Sequence, residues 1–262
     1  MNQPYQPELL SRALSDGVLI LTLGGGRAHP LSSAMIAALH EAVLSAGADA
    51  DVRVVVIHGP GGIFCAGHDL KEIARHRADT DEGTAFLTGL FADCSALMVA
   101  LSELCKPTIA MVEGIATAAG LQLAAACDIV FASDAARFQL PGVNNGGFCT
   151  TPSVGVSRAI SLRHTMELAL SGEALDAEWA LRAGLVSRVV PADQLEQEVR
   201  AFAERLAGRN PGPIAAGKAA LLAQRALPLA EAYAQVTPVM VSHFMDPGRR
   251  SREAESPFGK GG

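Results

Sequence analysis

The sequence predicts an α/β protein, a core of alternating strands and helices followed by a helical C-terminal part. Three observations predict it. Apolar runs with strand character alternate with helical patterns through the first two thirds of the 262 residues, helical patterns fill the last third, and one strand–turn–helix unit occurs twice. The turns of that unit are Ile63-Phe64-Cys65-Ala66-Gly67-His68-Asp69-Leu70 and Gly114-Ile115-Ala116-Thr117-Ala118-Ala119-Gly120-Leu121-Gln122. Each leaves a strand through small residues and enters a helix, which leaves backbone N–H groups unpaired where a negative oxygen can be held. Two such turns facing each other would form an oxyanion hole from main chain alone.

The elements follow in order. Leu9 to Leu23 alternates apolar and polar residues around Asp16-Gly17, a hairpin pattern closed by Gly24-Gly25-Gly26. Ser32 is placed to cap a helix carrying Met35, Ile36, Leu39, Val43 and Leu44 at helical spacing. Val52 to His58 is β-branched and reads as a buried strand, ended by Gly59-Pro60-Gly61-Gly62. Lys71 to Asp81 is polar, a surface loop or short helix. A helix is predicted over Phe86 to Leu104, a strand over Thr108 to Val112, a helix over Ala119 to Ala126, and strands over Asp128 to Ala132 and Ala136 to Leu140. Helices then follow over Ile160 to Ser171, Asp176 to Ala183, Asp193 to Ala207, Pro213 to Leu227 and Leu229 to Phe244, with a short strand over Leu185 to Val190. The Gly/Pro-rich tail from Pro247 to Gly262 is expected to be exposed or to serve an oligomer contact. This divides the chain into an α/β core over 1–190 and a helical C-terminal region over 191–262.

Composition excludes several classes. With 49% apolar and 18% charged residues the chain can bury a substantial core, and disorder is not expected. A net charge of −6 argues against a nucleic-acid partner, but not against an anionic ligand met by a few local Arg and Lys. No apolar run reaches the roughly 18 residues of a membrane span, so no membrane partner is expected. Residues 1–7 are polar and lack a basic-then-apolar leader pattern. Cys65, Cys94, Cys105, Cys127 and Cys149 show no CxxC spacing, which points to reduced thiols, no metal site and a cytoplasmic location.

Five segments in order carry a family resemblance: Phe64-Cys65-Ala66-Gly67-His68-Asp69-Leu70-Lys71-Glu72, Lys106-Pro107-Thr108-Ile109-Ala110-Met111-Val112-Glu113-Gly114, Cys127-Asp128-Ile129-Val130, Ala136-Arg137-Phe138, and Ala180-Leu181-Arg182-Ala183-Gly184-Leu185-Val186-Ser187-Arg188. Together they resemble the crotonase (enoyl-CoA hydratase/isomerase) superfamily over nearly the whole chain. The resemblance implies a crotonase-like fold of stacked ββα turns with a C-terminal helical trimerisation region. It also implies an acyl-CoA thioester as substrate, with coenzyme A entering as part of that substrate and no tightly bound cofactor. A homotrimer or homohexamer is implied as well. Carried over by position, the thioester oxygen would be held by the N–H groups of His68 and Ala119. The family commonly has glycine where this chain has Ala118-Ala119. A backbone donor survives a methyl group if φ stays negative, but the methyl narrows the floor of the site.

The acid–base positions depart further. The two glutamates of the family's hydratases fall at Gln122 and Gly142, and a further carboxylate position falls near Thr150. An amide hydrogen-bonds a water but does not take its proton, and a general acid or base contributes about 10²–10⁴-fold. Hydration is therefore expected to be weak or altered. The alternatives are another thioester reaction (hydrolysis, decarboxylation or isomerisation) or a non-catalytic acyl-CoA binder. Asn144 to Pro152, with its Phe148-Cys149-Thr150-Thr151-Pro152 pattern, is similar to a divergent branch of the family, the enoyl-CoA hydratase domain-containing protein 3 type.

Each residue has a plainer reading beside the chemical one. His68 is a general base or supplies only its N–H. Cys149 is a nucleophile or an inert small residue. Thr150 and Thr151 orient a water or cap a helix starting near Ser153. Gln122 faces the pocket or packs, and Glu113 has a surface or packing role. Ala66, Asp69 and Leu70 line the expected ligand groove, with Asp69 read mainly as a helix cap. Arg27 and Lys71 meet CoA phosphates or face solvent, and Lys260 resembles a basic C-terminal position that contacts CoA in the family.

Overall fold

Val54 and Val56 of the β-branched run face one side of a sheet, Val55 and Ile57 the other, and all four are fully buried. A strand covered on both faces has no polar face to show, which is why the run reads as continuous rather than alternating. The protein is described by a computed structural model over residues 8–255. Its strands are β1 (Leu10–Ser15), β2 (Val18–Leu23), β3 (Val54–Gly59), β4 (Ile63–Cys65), β5 (Thr108–Val112), β6 (Ile115–Thr117), β7 (Ile129–Ser133), β8 (Arg137–Gln139), β9 (Leu175–Asp176) and β10 (Arg188–Val190). Its helices are α1 (Ser33–Ala48), α2 (Leu70–His76), α3 (Thr84–Glu103), α4 (Ala119–Ala125), α5 (Thr150–Ala159), α6 (Leu162–Ser171), α7 (Ala177–Ala183), α8 (Leu195–Ala207), α9 (Pro211–Ala223), α10 (Leu229–Met245) and α11 (Pro247–Glu255).

The chain falls into two units divided between Gly208 and Arg209. In the first, six strands are ordered β1-β2-β3-β5-β7-β10 and four more β4-β6-β8-β9. β1 and β2 form the expected antiparallel hairpin, with Ser15 opposite Val18. β3, β5 and β7 run parallel in the larger sheet, and their successors β4, β6 and β8 run parallel in the smaller one. Each β-β pair thus gives one strand to each sheet, the stacked ββα arrangement. β4 and β6 are only three residues long, too short to show a period, and the sequence reading took them as turns. One face of the large sheet (Val18, Ile20, Val54, Val56, Ile109, Met111, Phe131) is covered by Leu195, Val199 and Ala203 of α8, so that helix belongs with the sheet. The other face joins the main core with Phe64, Phe138 and the buried sides of α1, α3 and α4. Each fully buried Val, Ile or Leu contributes about 1.5–3 kcal/mol.

Caps set several boundaries. Ser32 caps α1 by accepting Met35 N (3.2 Å), and Asp128 accepts Thr108 N (2.8 Å), tying β5 to β7. α3 is long and apolar enough to cross a membrane by length and composition, although polar residues interrupt its apolar run. Its stripe of Leu90, Cys94, Leu97, Met98 and Leu101 is buried in the first unit.

In the second unit Ala232 is the one buried residue among those described. Leu221, Leu229, Tyr233, Met240, Val241 and Met245 are all more than half exposed. Residues 247–255 of the tail, expected to be exposed or to serve an oligomer contact, form α11, where Asp246 accepts Arg249 N (2.8 Å) and Arg249 pairs with Glu253. Composition hid this local cap and i,i+4 pair.

Gly120 marks the closest approach of α4 to β4. A Cβ there would lie 2.1 Å from Cys65 O. Gly120→Ala is expected to cost about 3 kcal/mol and to lower the Tm sharply. Gly89→Ala on the open face of α3, where nothing lies within 4 Å, is expected to leave the Tm unchanged or slightly raised. Equal Tm values for the two variants would contradict this packing.

Candidate active site

The parallel pairing of β4 with β6 brings the two turns that follow them together. Ile63 pairs with Ile115 and Cys65 with Ala116. After β4 the chain turns through Gly67 (φ +84°), and after β6 through Ala118 (φ +50°). A Cβ on Gly67 would lie 3.0 Å from Ala119 N and 3.1 Å from the Ala118 methyl, so the turns touch along their backbones. The first turn is held from outside. Ala66 N donates to Ala28 O (2.9 Å), Leu31 N to Gly67 O (2.8 Å) and Asp69 N to Leu31 O (3.4 Å), while Ala118 N donates to Gln139 O (3.0 Å). These bonds use the neighbours of His68 and Ala119. The N–H groups of His68 and Ala119 themselves have no acceptor among the described residues.

Ala119 begins α4 with its methyl fully buried. The donor Ala119 stays out of the positive-φ range, and the strained residue is its neighbour Ala118. It holds φ +50°, ψ −122°, a conformation suited to glycine and strained by about 1–3 kcal/mol for other residues.

The side chains fall into two groups. Gln122, one turn into α4, is 5% exposed, and Gly155 of α5 packs on its Cγ, with 3.7 Å to a Cβ at 155. Its Oε1 and the Nδ1 of His68 are buried without a hydrogen-bond partner among the described residues, the only other such atom being His243 Nε2 in α10. Buried polar atoms are nearly always paired, and two of the three exceptions sit at these two turns. The His68 ring meets the edge of Phe91 (centroids 5.2 Å, 73°). Burial pushes its pKa down, opposed by the Leu31 main chain and the Glu72 carboxylate, and so favours the neutral ring.

The second group rebuilds the region where a second carboxylate was expected. Gly142 lies in a 3₁₀ turn over Pro141–Asn145. Its N–H donates to Cys149 Sγ (3.3 Å), and its carbonyl accepts Gly147 N (3.0 Å). A Cβ at 142 would lie 2.6 Å from Cys149 N and 2.7 Å from Phe148 C. The position is therefore not a site with its carboxylate removed, because the 148–149 backbone fills the space. Burial pushes the Cys149 thiol up, opposed by the Gly142 N–H, which disfavours a thiolate nucleophile. Thr150 corrects the capping expectation. The α5 cap is Cys149 with no side-chain bond, and the exposed Thr150 hydroxyl donates to Phe148 O (3.3 Å).

Asp69 is the α2 cap, accepting Lys71 N (2.9 Å) and Glu72 N (3.3 Å). Ala66 is half-buried, while Arg27, Leu70 and Lys71 are exposed around the first turn. Lys260 lies outside the described residues. Glu113 accepts from Gly61 N (2.7 Å) and lies 2.8 Å from His58 Nε2, a packing role. Two residues were missed by sequence reasoning. Glu72 is buried and accepts Ser33 N (2.8 Å) and Ser33 Oγ (2.5 Å), joining α2 to α1. His29 is buried between two carbonyls. No spacing signals either, since Ser33 and Pro60, which complete their contacts, are distant in sequence.

A family model described as Enoyl-CoA hydratase/isomerase matches residues 14–254. The chain belongs to that family. The rat protein named enoyl-CoA hydratase domain-containing protein 3, mitochondrial, is 38% identical over 240 residues, covering 91% of this chain and 78% of the relative. The crystal structure of an enoyl-CoA hydratase/isomerase family protein from Silicibacter pomeroyi is 59% identical, with a TM-score of 0.87, covering 90% of this chain and 100% of that one. The crystal structure of human enoyl-CoA hydratase domain-containing protein 3 is 34% identical, with a TM-score of 0.87, covering 94% and 96%. The crotonase fold and the resemblance to the domain-containing protein 3 branch are thus shown. The cytoplasmic expectation is overturned, because the curated relatives of that branch are named mitochondrial. Cysteine usage reports a reducing environment, which more than one compartment supplies.

Two outcomes are expected. Ala118→Gly relieves the strained turn and raises stability by about 1 kcal/mol, read as a higher Tm. A lower Tm would mean that the positive φ is not strained. For His68, the folded pKa lies below the unfolded value of about 6.5, so the unfolded chain binds the proton more readily and stability falls as pH drops below that value. His68→Phe is expected to flatten the acid limb of a Tm-against-pH curve, and an unchanged limb would refute the buried neutral ring.

Proposed function

We propose that this protein binds acyl-CoA thioesters and holds the thioester oxygen between the N–H groups of His68 and Ala119 as an enolate forms. The observation that carries the reading is the pair of adjacent N–H groups without an acceptor, on turns in contact at Gly67 and Ala119. Preorganised main-chain donors of this kind stabilise developing charge without reorganising, and losing one typically costs about 10²–10³ in rate. Coenzyme A enters as part of the substrate, and exposed Arg27 and Lys71 are the candidates to meet its phosphates. Gln122 cannot act as a base and Gly142 is closed by the 148–149 backbone, so the two-glutamate hydration route is not available to this chain. Hydration of an enoyl-CoA is weak. A thioester reaction needing only oxyanion stabilisation (hydrolysis, decarboxylation or isomerisation) is the first alternative, and a non-catalytic acyl-CoA binder the second. The uncovered apolar residues of α9 and α10 support assembly as a homotrimer or homohexamer, which sedimentation equilibrium tests.

The deciding experiment combines calorimetric titration with acetyl-CoA and crotonyl-CoA and mass spectrometry of an acyl-CoA panel. Binding at a shared site is expected, with crotonyl-CoA hydration slower than in a two-glutamate enzyme by several powers of ten, since each missing group is worth about 10²–10⁴. Gain of water, loss of CoA or loss of CO₂ names the reaction, and binding without a mass change names the binder. Ala119→Pro removes one donor and is expected to abolish turnover in protein shown to be folded, while His68→Ala keeps its N–H and retains much of it. No heat at millimolar ligand refutes the reading.

A further inference from the structure

The His68 N–H can be placed no better than the segment its turn is bonded to. That segment is Ala28–Leu31. Ala28 O accepts Ala66 N (2.9 Å), His29 O accepts the Cys65 thiol (3.1 Å), Gly67 O accepts Leu31 N (2.8 Å) and Leu31 O accepts Asp69 N (3.4 Å). The side chain of His29 fixes this segment in turn. His29 is 6% exposed and has φ +44°, in the left-handed region. Its ring spans two carbonyls far apart in sequence, with Nδ1 3.2 Å from Gly24 O and Nε2 3.0 Å from Pro60 O. Gly24 follows β2 and Pro60 follows β3, neighbouring strands of the large sheet. The ring therefore ties the ends of two core strands to the segment that carries the turn.

Carbonyl oxygens only accept. A neutral imidazole has one N–H and can donate to one of them, whereas an imidazolium donates to both. We propose that His29 is the positioning residue of the His68 turn, a clamp that closes fully only when both ring nitrogens carry protons. The inference rests on the acyl-CoA reading only in taking this turn as the oxyanion turn. The ionisable groups on the surrounding elements are Glu8 beside Gly24, Arg27 on the same loop, Cys65 on β4, His68 and Asp69 on the turn itself, Glu72 on α2, and His58 and Glu113 beside the Pro60 turn. Burial pushes Cys65 up to about 12, so it stays a neutral thiol. Glu113 is engaged by His58 and the Gly61 N–H. Protonation of His29 itself is then what changes the number of donors facing Gly24 and Pro60.

The test uses the full chain without ligand. The ring nitrogens of His29 are titrated by ¹⁵N NMR, and amide exchange of Leu31, Ala66 and Asp69, corrected for intrinsic rates, is followed over the same pH range. Protection of these three amides is expected to fall about tenfold, the loss of one buried hydrogen bond, with the same midpoint as the ring titration. His29→Asn keeps a side chain tolerant of left-handed backbone but reaches only one carbonyl, and is expected to show the low protection at every pH. Where thioester turnover is found, this variant lowers kcat with KM little changed, because it displaces an oxyanion donor rather than the CoA site. Protection that ignores the ring titration, a ring that stays singly protonated throughout, or wild-type protection in His29→Asn would each overturn the clamp. If His29→Asn does not fold, the wild-type titration decides alone. A failed clamp leaves acyl-CoA binding standing, and absence of acyl-CoA binding leaves the clamp standing.

Discussion

The pairing of two three-residue strands, β4 with β6, is the constraint on which the site depends. It is a small interaction, a few parallel hydrogen bonds, but it sets two turns against each other so closely that backbone touches backbone. Gly120 lets α4 descend onto Cys65, Gly67 leaves room beside Ala119 N, and neither position has space for a methyl group. The large sheet beneath supplies rigidity. β3, β5 and β7 are buried on both faces, and each hands its chain directly to a strand of the small sheet. Core burial, worth tens of kcal/mol when summed before conformational entropy is subtracted, is in this way focused on the placement of two N–H groups.

On the family resemblance, the two carboxylate positions around that pair are filled by other groups rather than left open. At 122 a buried amide stands with its oxygen unpaired, and at 142 the main chain of Phe148 and Cys149 occupies the room a carboxylate side chain would need. Placing a side chain at 142 requires moving the backbone at 148–149. The retained and altered parts also differ in kind. What is retained is main chain, fixed by pairing and tolerant of side-chain change. What departs from the resemblance is side chain, at 122 and 142.

Polar groups that anchor the site are drawn from distant segments. Glu72 reaches Ser33, Glu113 holds the Gly61 turn, and His29 bridges Gly24 and Pro60. Each satisfies backbone groups that a loop-rich region would otherwise leave unpaired, and buried unpaired groups cost about 1–3 kcal/mol each. Glu72 reaches Ser33 over 39 positions and His29 reaches Pro60 over 31, and hydrogen bonds over such spans leave no periodicity in the sequence. That is why reading by spacing found the turns but not their supports.

The sequence by itself determined the large elements and the position of the site. The β-branched run at Val54–Ile57, the Asp16-Gly17 hairpin, the Ser32 and Asp69 caps and the small-residue turns at 66–69 and 118–120 are local signals, and local signals survive in a string of letters. It also fixed that 122 carries an amide and 142 only a hydrogen, since that is a matter of composition. Only the tertiary structure decided the rest. β4 and β6 are strands only because they pair with each other and β6 with β8. Ala118 takes a positive φ because the turn between β6 and α4 demands it. Gly142 is closed because Cys149 folds back over it. In each case the deciding contact lies across space, where the free energy of pairing and packing exceeds the few tenths of a kcal/mol of local preference that a sequence records.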